Sequence, residues 1–398
     1  MKTQIRFLSL ALLALWVGLG ACRKTELTPG ESFTVIFDNN EFGGSFLPVD
    51  VKQTTDGGYV ILGEHRLDDS NFYGVYVLRT DALGRFLWDY KGEVNQVNPV
   101  SELFVVNNEF YFMAMDGISL NAQVMKVDSA GASIVNQVAG VIYPLAMAQI
   151  NDGFLLVSYD RLTRSSALTR LNNNFQAAWT QRYDVFEDAE ERVIGHLTKT
   201  RRQFPFFAGA VGNSFYVNTF SNFTLSTLFV SPTDGSQQGV LNGFRYDDAI
   251  SAAVPLNNNT FVMTRYSFGE NFLLPQQAVN LTGVTSTKDL GGNRLVELTP
   301  DAKVVAKRLT INSRQVIVLA SDTKNSQIVL YAYDAATGQL LGKRFLGFGS
   351  PYRVSGYTLT ADGGMAVVGT NIVTGRFPRI CLFKLSPSDV NGLISGAE

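Results

Sequence analysis

The chain is short of cysteine, histidine and charge, and each shortage removes a class of answer. Its 398 residues hold two cysteines, Cys22 and Cys381, and two histidines, His65 and His196. Neither the cysteine number nor the spacing suits a disulfide framework or a zinc site. No Gly-x-Ser-x-Gly elbow or other nucleophile signature accompanies a histidine, so a histidine-based triad has no partner. No Asp-x-Asp-x-Asp run suited to calcium occurs. The nearest stretches, "RLDDS" and "RYDDA", read as turn-capping aspartates, so no cofactor or metal is expected. Charged residues make up only 17%, without a polybasic face, which argues against a nucleic-acid partner.

What is abundant is strand and turn material: 36 Gly, 28 Phe and 15 Tyr, with many Val, Thr and Asn. The first 22 residues, "MKTQIRFLSLALLALWVGLGAC", place Lys2 and Arg6 ahead of an apolar run from Phe7 to Gly20. That run is too short and too early for a spanning helix and matches a secretory signal. It ends in Leu19-Gly20-Ala21-Cys22, which resembles the bacterial lipobox. The resemblance implies acylation of the Cys22 thiol and cleavage before it, with residues 1–21 as leader and 22–31 as tether. Arg23 and Lys24 follow where an inner-membrane retention signal would carry aspartate, so an outer-membrane lipoprotein of a Gram-negative bacterium is expected. Loss of Lys2 and Arg6 leaves 31 basic against 35 acidic side chains. It also leaves Cys381 as the one free thiol, in "RICLFKL", which reads as a buried strand.

Residues 54–65, "TTDGGYVILGEH", return as "TADGGMAVVGTN" at 360–371. The unit at 51–92 parses as four strands joined by an Asp-Gly-Gly turn, a loop and an Asp-Ala-Leu-Gly turn. Turn residues near 57, 108, 152, 213, 258, 314 and 363 repeat the unit about every 51 residues. This spacing predicts an all-β single domain over 32–398, a propeller of four-stranded antiparallel blades, seven in number with six or eight open. The sixth unit has little room for a first strand between Leu309 and Gln315, and "RLVELTPDAKVVAKRL" is assigned to the fifth. The seventh lacks its fourth strand, which "SFTVIF" at 32–37 is expected to supply.

"YAYDAATGQLLGKRF" and "VLRTDALGRFLWDYKG" resemble the strand-turn-strand signature of PQQ-like, WD40-like bacterial lipoprotein propellers. That resemblance implies fold, and an accessory role in outer-membrane assembly. The vicinal cysteine pair of quinone-dependent dehydrogenases has no counterpart here.

In a four-stranded meander the first and third connections share one end of the sheet. The tight Asp-Gly turns are first and third connections, so long segments belong on the opposite face. Those segments are 64–74, 159–166, 185–204, 266–292 and 370–379, and 185–204 reads as a short helix with solvated charge pairs. Candidate ligand-binding residues on that face are His65, Arg66, Asp69, Arg201, Arg202, Tyr266, Phe268, Glu270, Phe272 and Arg376. They suggest a monomeric, non-enzymatic scaffold for an envelope protein or glycan. The alternative is a carbohydrate-active or other hydrolytic propeller whose carboxylates come from Glu64, Asp69, Glu187 and Glu270.

Overall fold

The computed structural model describes Thr28 and residues 30–38, 44–372 and 377–396. The leader, Cys22, the start of the tether and Arg376 lie outside the described residues. The described strands pair antiparallel into six sheets, apart from one parallel edge strand. In the eight-stranded sheet Gly74 and Val97 form the pair that joins two four-stranded halves. The chain thus runs as successive four-stranded meanders: Phe46–Lys91, Val97–Ile142, Pro144–Asp184, Phe207–Asn242, Asp248–Arg294, Val304–Leu346, and Tyr352–Leu385 with Phe33–Phe37. Each first strand lies beside the next, and Tyr352–Leu359 lies beside Phe46–Gln53, so the array is circular. This is a β-propeller.

Burial follows position in the meander. Second strands such as Ser214–Ser221 and Met365–Asn371 are buried throughout, because neighbouring meanders cover both sides of the sheet. Outer strands such as Phe86–Lys91 are half exposed.

The two Asp-Gly-Gly turns show why the wording repeats. Asp56 Oδ1 accepts the Gly58 N–H at 3.2 Å and the Thr54 hydroxyl at 2.5 Å. Asp362 does the same with Gly364 at 3.0 Å and Thr360 at 2.5 Å. The first glycine of each pair, Gly57 or Gly363, has φ near +85° (+85° and +83°), where side chains are strained. The second fails on space: a Cβ on Gly58 would strike Thr80 O, and one on Gly364 would strike Leu385 O. Each aspartate also holds a cation from its third strand. Arg79 Nη2 sits 2.6 Å from both Asp56 oxygens, and Lys384 Nζ sits 2.9 and 3.0 Å from those of Asp362.

Phe33–Phe37 pairs with Arg379–Leu385 from Phe33↔Lys384 to Phe37↔Ile380, completing the last meander with the N-terminal strand. Its start lies at the turn face, where Gly30 sits beside Asp362 and Ser32 Oγ accepts the Ser386 N–H at 2.9 Å. Cys381 is fully buried on that sheet, and burial pushes its thiol up to about 12.

Two expectations are corrected. Residues 266–292 are not one loop: Glu270–Ala278 is the third strand of the fifth meander, entered through Phe268 and Gly269 at φ +49° and +86°. After it, Val284–Ser286 pairs in parallel with Gln237–Asn242 of the fourth meander, so this stretch straps the rim. "VVAKRL" belongs to the sixth meander as its first strand, Val304–Ile311, and only Asn293–Arg294 closes the fifth. The C-terminal tail forms a helix, Pro387–Ser395, with a capping box from Ser386 and Asp389.

The 185–204 segment does contain a helix, α1, Glu190–Leu197. Its charge pairs form, Glu187 with Arg192 at 3.0 Å and Glu191 with Arg201, but it is no free surface feature. Val193, Leu197 and Phe204 enter a core cluster with Tyr159, Phe220 and Tyr266, and Leu67 and Phe72 of the first meander pack against it. The segment therefore reaches across the loop face.

Candidate functional site

Charge gathers on the ring axis. Asp50 and Lys52 alternate onto one side of the first strand of the first meander, and Lys307 lies on the strand that opens the sixth, Val304–Ile311, which Lys303 directly precedes. Lys52 Nζ lies 3.0 Å from Asp50 Oδ2, and Lys307 Nζ lies 3.7 Å from Asp50 Oδ1 and 3.3 Å from Glu102 Oε1. The Leu103 N–H donates to Asp50 Oδ2 at 3.0 Å. Meanders one, two and six meet here, as first strands can only do around the axis. Burial alone would raise the Asp50 pKa, but Lys307 and Lys52 outweigh it and hold the carboxyl below its usual range. Burial likewise opposes charge on Lys307, and Asp50 and Glu102 reverse that, raising it.

Nearer the loop face, Lys199 from the segment after α1 reaches Glu64 Oε1 of the first meander at 3.2 Å. Glu64 is raised by burial, with Lys199 and Lys303 pulling the other way. His196 on α1 accepts the Phe204 N–H through Nδ1 at 3.0 Å and meets Phe206 edge-on at 5.0 Å. Burial, then Lys199 and Lys303, push it down to about 3, so the imidazole is neutral at physiological pH. Asp322 accepts the Val354 N–H at 2.6 Å and is pushed up to about 6 by burial. Lys303 donates to Ser355 O at 3.3 Å.

The structure divides the expected residues. Arg202 and Tyr266 come together, with the guanidinium 4.6 Å from the ring centroid and Nη2 3.2 Å from Asp301 Oδ2. The Tyr266 hydroxyl is buried without a partner, and burial raises it far above its usual range. Phe268 is 64% exposed and faces Phe244 at 5.9 Å. Glu270 is held by Arg294, and Phe272 lies under the Arg265 guanidinium at 4.5 Å. Arg201 pairs with Glu191 alone among the described residues. His65 lies apart at the end of a strand, Nε2 2.9 Å from Gly92 O, and Arg66 and Asp69 are exposed beside it. Asp50, Lys52, Glu102, Lys303, Lys307 and Asp322 were missed. Asp50 and Lys52 carried a signal, two charges at a spacing of two in a strand otherwise mostly apolar.

Among the described residues no group of three or more His, Cys, Asp or Glu could hold a metal ion. A cleft of about 560 Å3 between the fifth and sixth meanders opens at the turn face, lined by Asn257, Gln276, Arg308 and Gln315. Arg308 is already bonded to Leu256 O and Gln315 Oε1, at 3.2 and 3.0 Å.

No protein-family model and no curated protein matches the sequence. Solved structures similar to this chain include the β-propeller domain of the Trilobed protease from Pyrococcus furiosus, at 9% identity over 88% of this chain and 98% of that one, with a TM-score of 0.46. Pyrococcus horikoshii acylaminoacyl peptidase is similar at 12% identity over 90% of this chain, TM-score 0.48, and the chain spans 55% of that protein. The quinohemoprotein alcohol dehydrogenase ADHIIG from Pseudomonas putida HK5 is similar at 11% identity over 90% of this chain and 76% of that one, with a TM-score of 0.44.

Proposed function

We propose that the chain is a seven-bladed propeller, lipid-anchored through Cys22 to the outer membrane, that binds an envelope protein through its loop face without catalysing a reaction. The carrying observation is where exposed apolar side chains stand. Phe186, Phe223, Phe244, Phe268, Phe348 and Phe377 are 37% to 93% exposed, and each lies in a second connection or a crossing between meanders. Among the described residues, no exposed large apolar side chain lies within a tight turn between first and second or third and fourth strands of a meander. Six exposed phenylalanines gathered in these connections are the mark of an interaction surface.

Anchor geometry supports the same face. Phe33 begins the closing strand at the turn face, so a tether from Cys22 would set that face toward its membrane and turn the phenylalanine tips outward. The hydrolytic alternative needs carboxylates free to protonate and to attack. Glu64, Glu187 and Glu270 instead each hold a cation.

The test is cross-linking in the native envelope followed by purification, with the intact chain compared to a Phe268→Ser/Phe348→Ser variant. A protein captured only by the intact chain is the expected result. Capture that is indifferent to both phenylalanines, or only of glycan, would overturn the assignment.

A further inference from the structure

We propose that the outer edge of the fifth meander takes an extended peptide of another protein as its missing fourth strand, independently of what the loop face binds. Fourth strands of the other meanders run for five to twelve residues. The fifth has two, Asn293–Arg294, which pair only with Leu273 and Phe272. After Ala278 the chain leaves for the edge of the fourth meander, where Val284–Ser286 pairs with Gln237–Asn242. Among the described residues, no strand therefore pairs with the outer side of Leu274–Ala278. Pro275–Ala278 alternate between half-buried and exposed, whereas Leu228–Val230 and Leu382–Leu385, the same stretches of two complete meanders, are buried.

Backbone geometry says what fits. Ala278 stands opposite Thr260, and the ladder bond beside them runs from the Val279 N–H to Asn259 O at 2.9 Å, so Ala278 turns its own N–H and C=O outward. That carbonyl accepts from its neighbour's side chain, Gln277 Nε2, at 2.8 Å. An edge of this kind is completed by main-chain bonds to an added strand, whose alternate side chains enter flanking pockets. Such pockets are present. Ala278 lines both the cleft of about 560 Å3 toward the sixth meander and a second cleft, of about 460 Å3, beside the strap. The first offers the carboxamides of Asn257, Gln276 and Gln315, and the second offers Val279 and Leu281. The matching segment alternates polar, hydrogen-bonding residues with small apolar ones. A second copy of this chain fits poorly, because it would bring its own Pro275 and bulge, two devices that block edge-to-edge pairing.

The full chain is panned against a phage-displayed library of linear peptides of about ten residues. Enriched sequences are synthesised for anisotropy titrations and amide hydrogen exchange. They should alternate as above and slow exchange at Gln276–Ala278. Ala278→Pro removes the outward N–H without taking a bond from the second strand, and should weaken binding about tenfold, as the loss of one main-chain hydrogen bond does. Gln277→Ala frees the Ala278 carbonyl and should tighten binding, which keeps the test decisive where the proline variant does not fold. Phe268→Ser/Phe348→Ser should leave binding unchanged, separating this edge from the loop face. No enrichment over an unrelated propeller, binding indifferent to Ala278→Pro and Gln277→Ala, or protection elsewhere would overturn the proposal. Self-association of the chain that Ala278→Pro abolishes would overturn it too, by seating a second copy at the edge.

Discussion

The two faces of this ring are built by different chemistry. At the two Asp-Gly-Gly turns of the turn face the connection satisfies itself: an aspartate ties its own turn, two glycines supply a left-handed backbone and a close approach, and a cation from the third strand neutralises the charge. At the loop face local aspartate-capped turns such as Asp116 and Asp160 stand beside contacts made across meanders. Lys199 finds Glu64 more than a hundred residues away, and Arg202 reaches Asp301. The Asp-Gly-Gly turns thus store stability in short range, whereas the loop face packs a helical segment across meanders and also presents exposed tips.

The largest effect expected from breaking that contrast is at Lys384. Its ammonium is 2% exposed and bonds Thr360 Oγ1, both Asp362 oxygens and Leu385 O. Lys384→Ala removes a buried stem and leaves the Thr360 hydroxyl and the Leu385 carbonyl without their donor, so it should cost about 3 kcal/mol in urea unfolding. Arg79→Ala makes the same cut at the other Asp-Gly-Gly turn, where Asp56 is 66% exposed and water can replace the arginine. It should cost less than a third as much, and equal losses would contradict the difference in burial. Acid should mimic the first change. Burial would raise Asp362, but Thr360, Lys384 and the Gly364 N–H hold it below its ordinary 3.8, so its contribution is present above that value and fades as pH falls below it.

A smaller effect of opposite sign belongs to the loop-face end of the axis. Asp322 is raised from 3.8 to about 6. A raised carboxyl favours the folded state at pH below 3.8, and that advantage is lost as pH rises through about 6. Asp322→Asn keeps an acceptor for the Val354 N–H and removes the cost of ionisation. It should flatten the stability profile over this window and stabilise the protein by about 2 kcal/mol at pH 8. A profile unchanged by the substitution would place the titration elsewhere.

These contrasts also explain what the sequence disclosed. Asp-Gly-Gly turns and the unclaimed strand at 32–37 were legible because turn chemistry is local and an unpaired sheet edge demands a partner. Glu270–Ala278 was hidden because its hairpin turn is Phe268-Gly269, a bulky residue at positive φ, and because Pro275 interrupts the strand. The Pro300-Asp301 stretch resembles a turn within a unit, yet it lies where the chain crosses between meanders, which moved "VVAKRL" into the wrong unit. The axial charges lay in plain view, but Asp50 and Lys307 are neighbours only after the ring closes. One practical consequence follows: replacing residues 268–290 with a short linker would delete a strand, so the loop face has to be tested by point substitution.

The smallest change in stability should accompany the largest change in binding. Phe268 and Phe348 are 64% and 93% exposed. Their replacement by serine removes little buried surface, so unfolding should move by no more than about 0.5 kcal/mol per site. Phe154, which is 1% exposed between the second and third meanders, offers the matched control. Phe154→Ala should cost about 3 to 5 kcal/mol through the cavity it leaves. If the tips exist for a partner, loss of capture and loss of stability will separate cleanly across these variants. If Phe268→Ser or Phe348→Ser destabilises the chain as a core substitution does, those side chains are part of the fold, and the distinction between the two faces fails at the point where function was assigned to it.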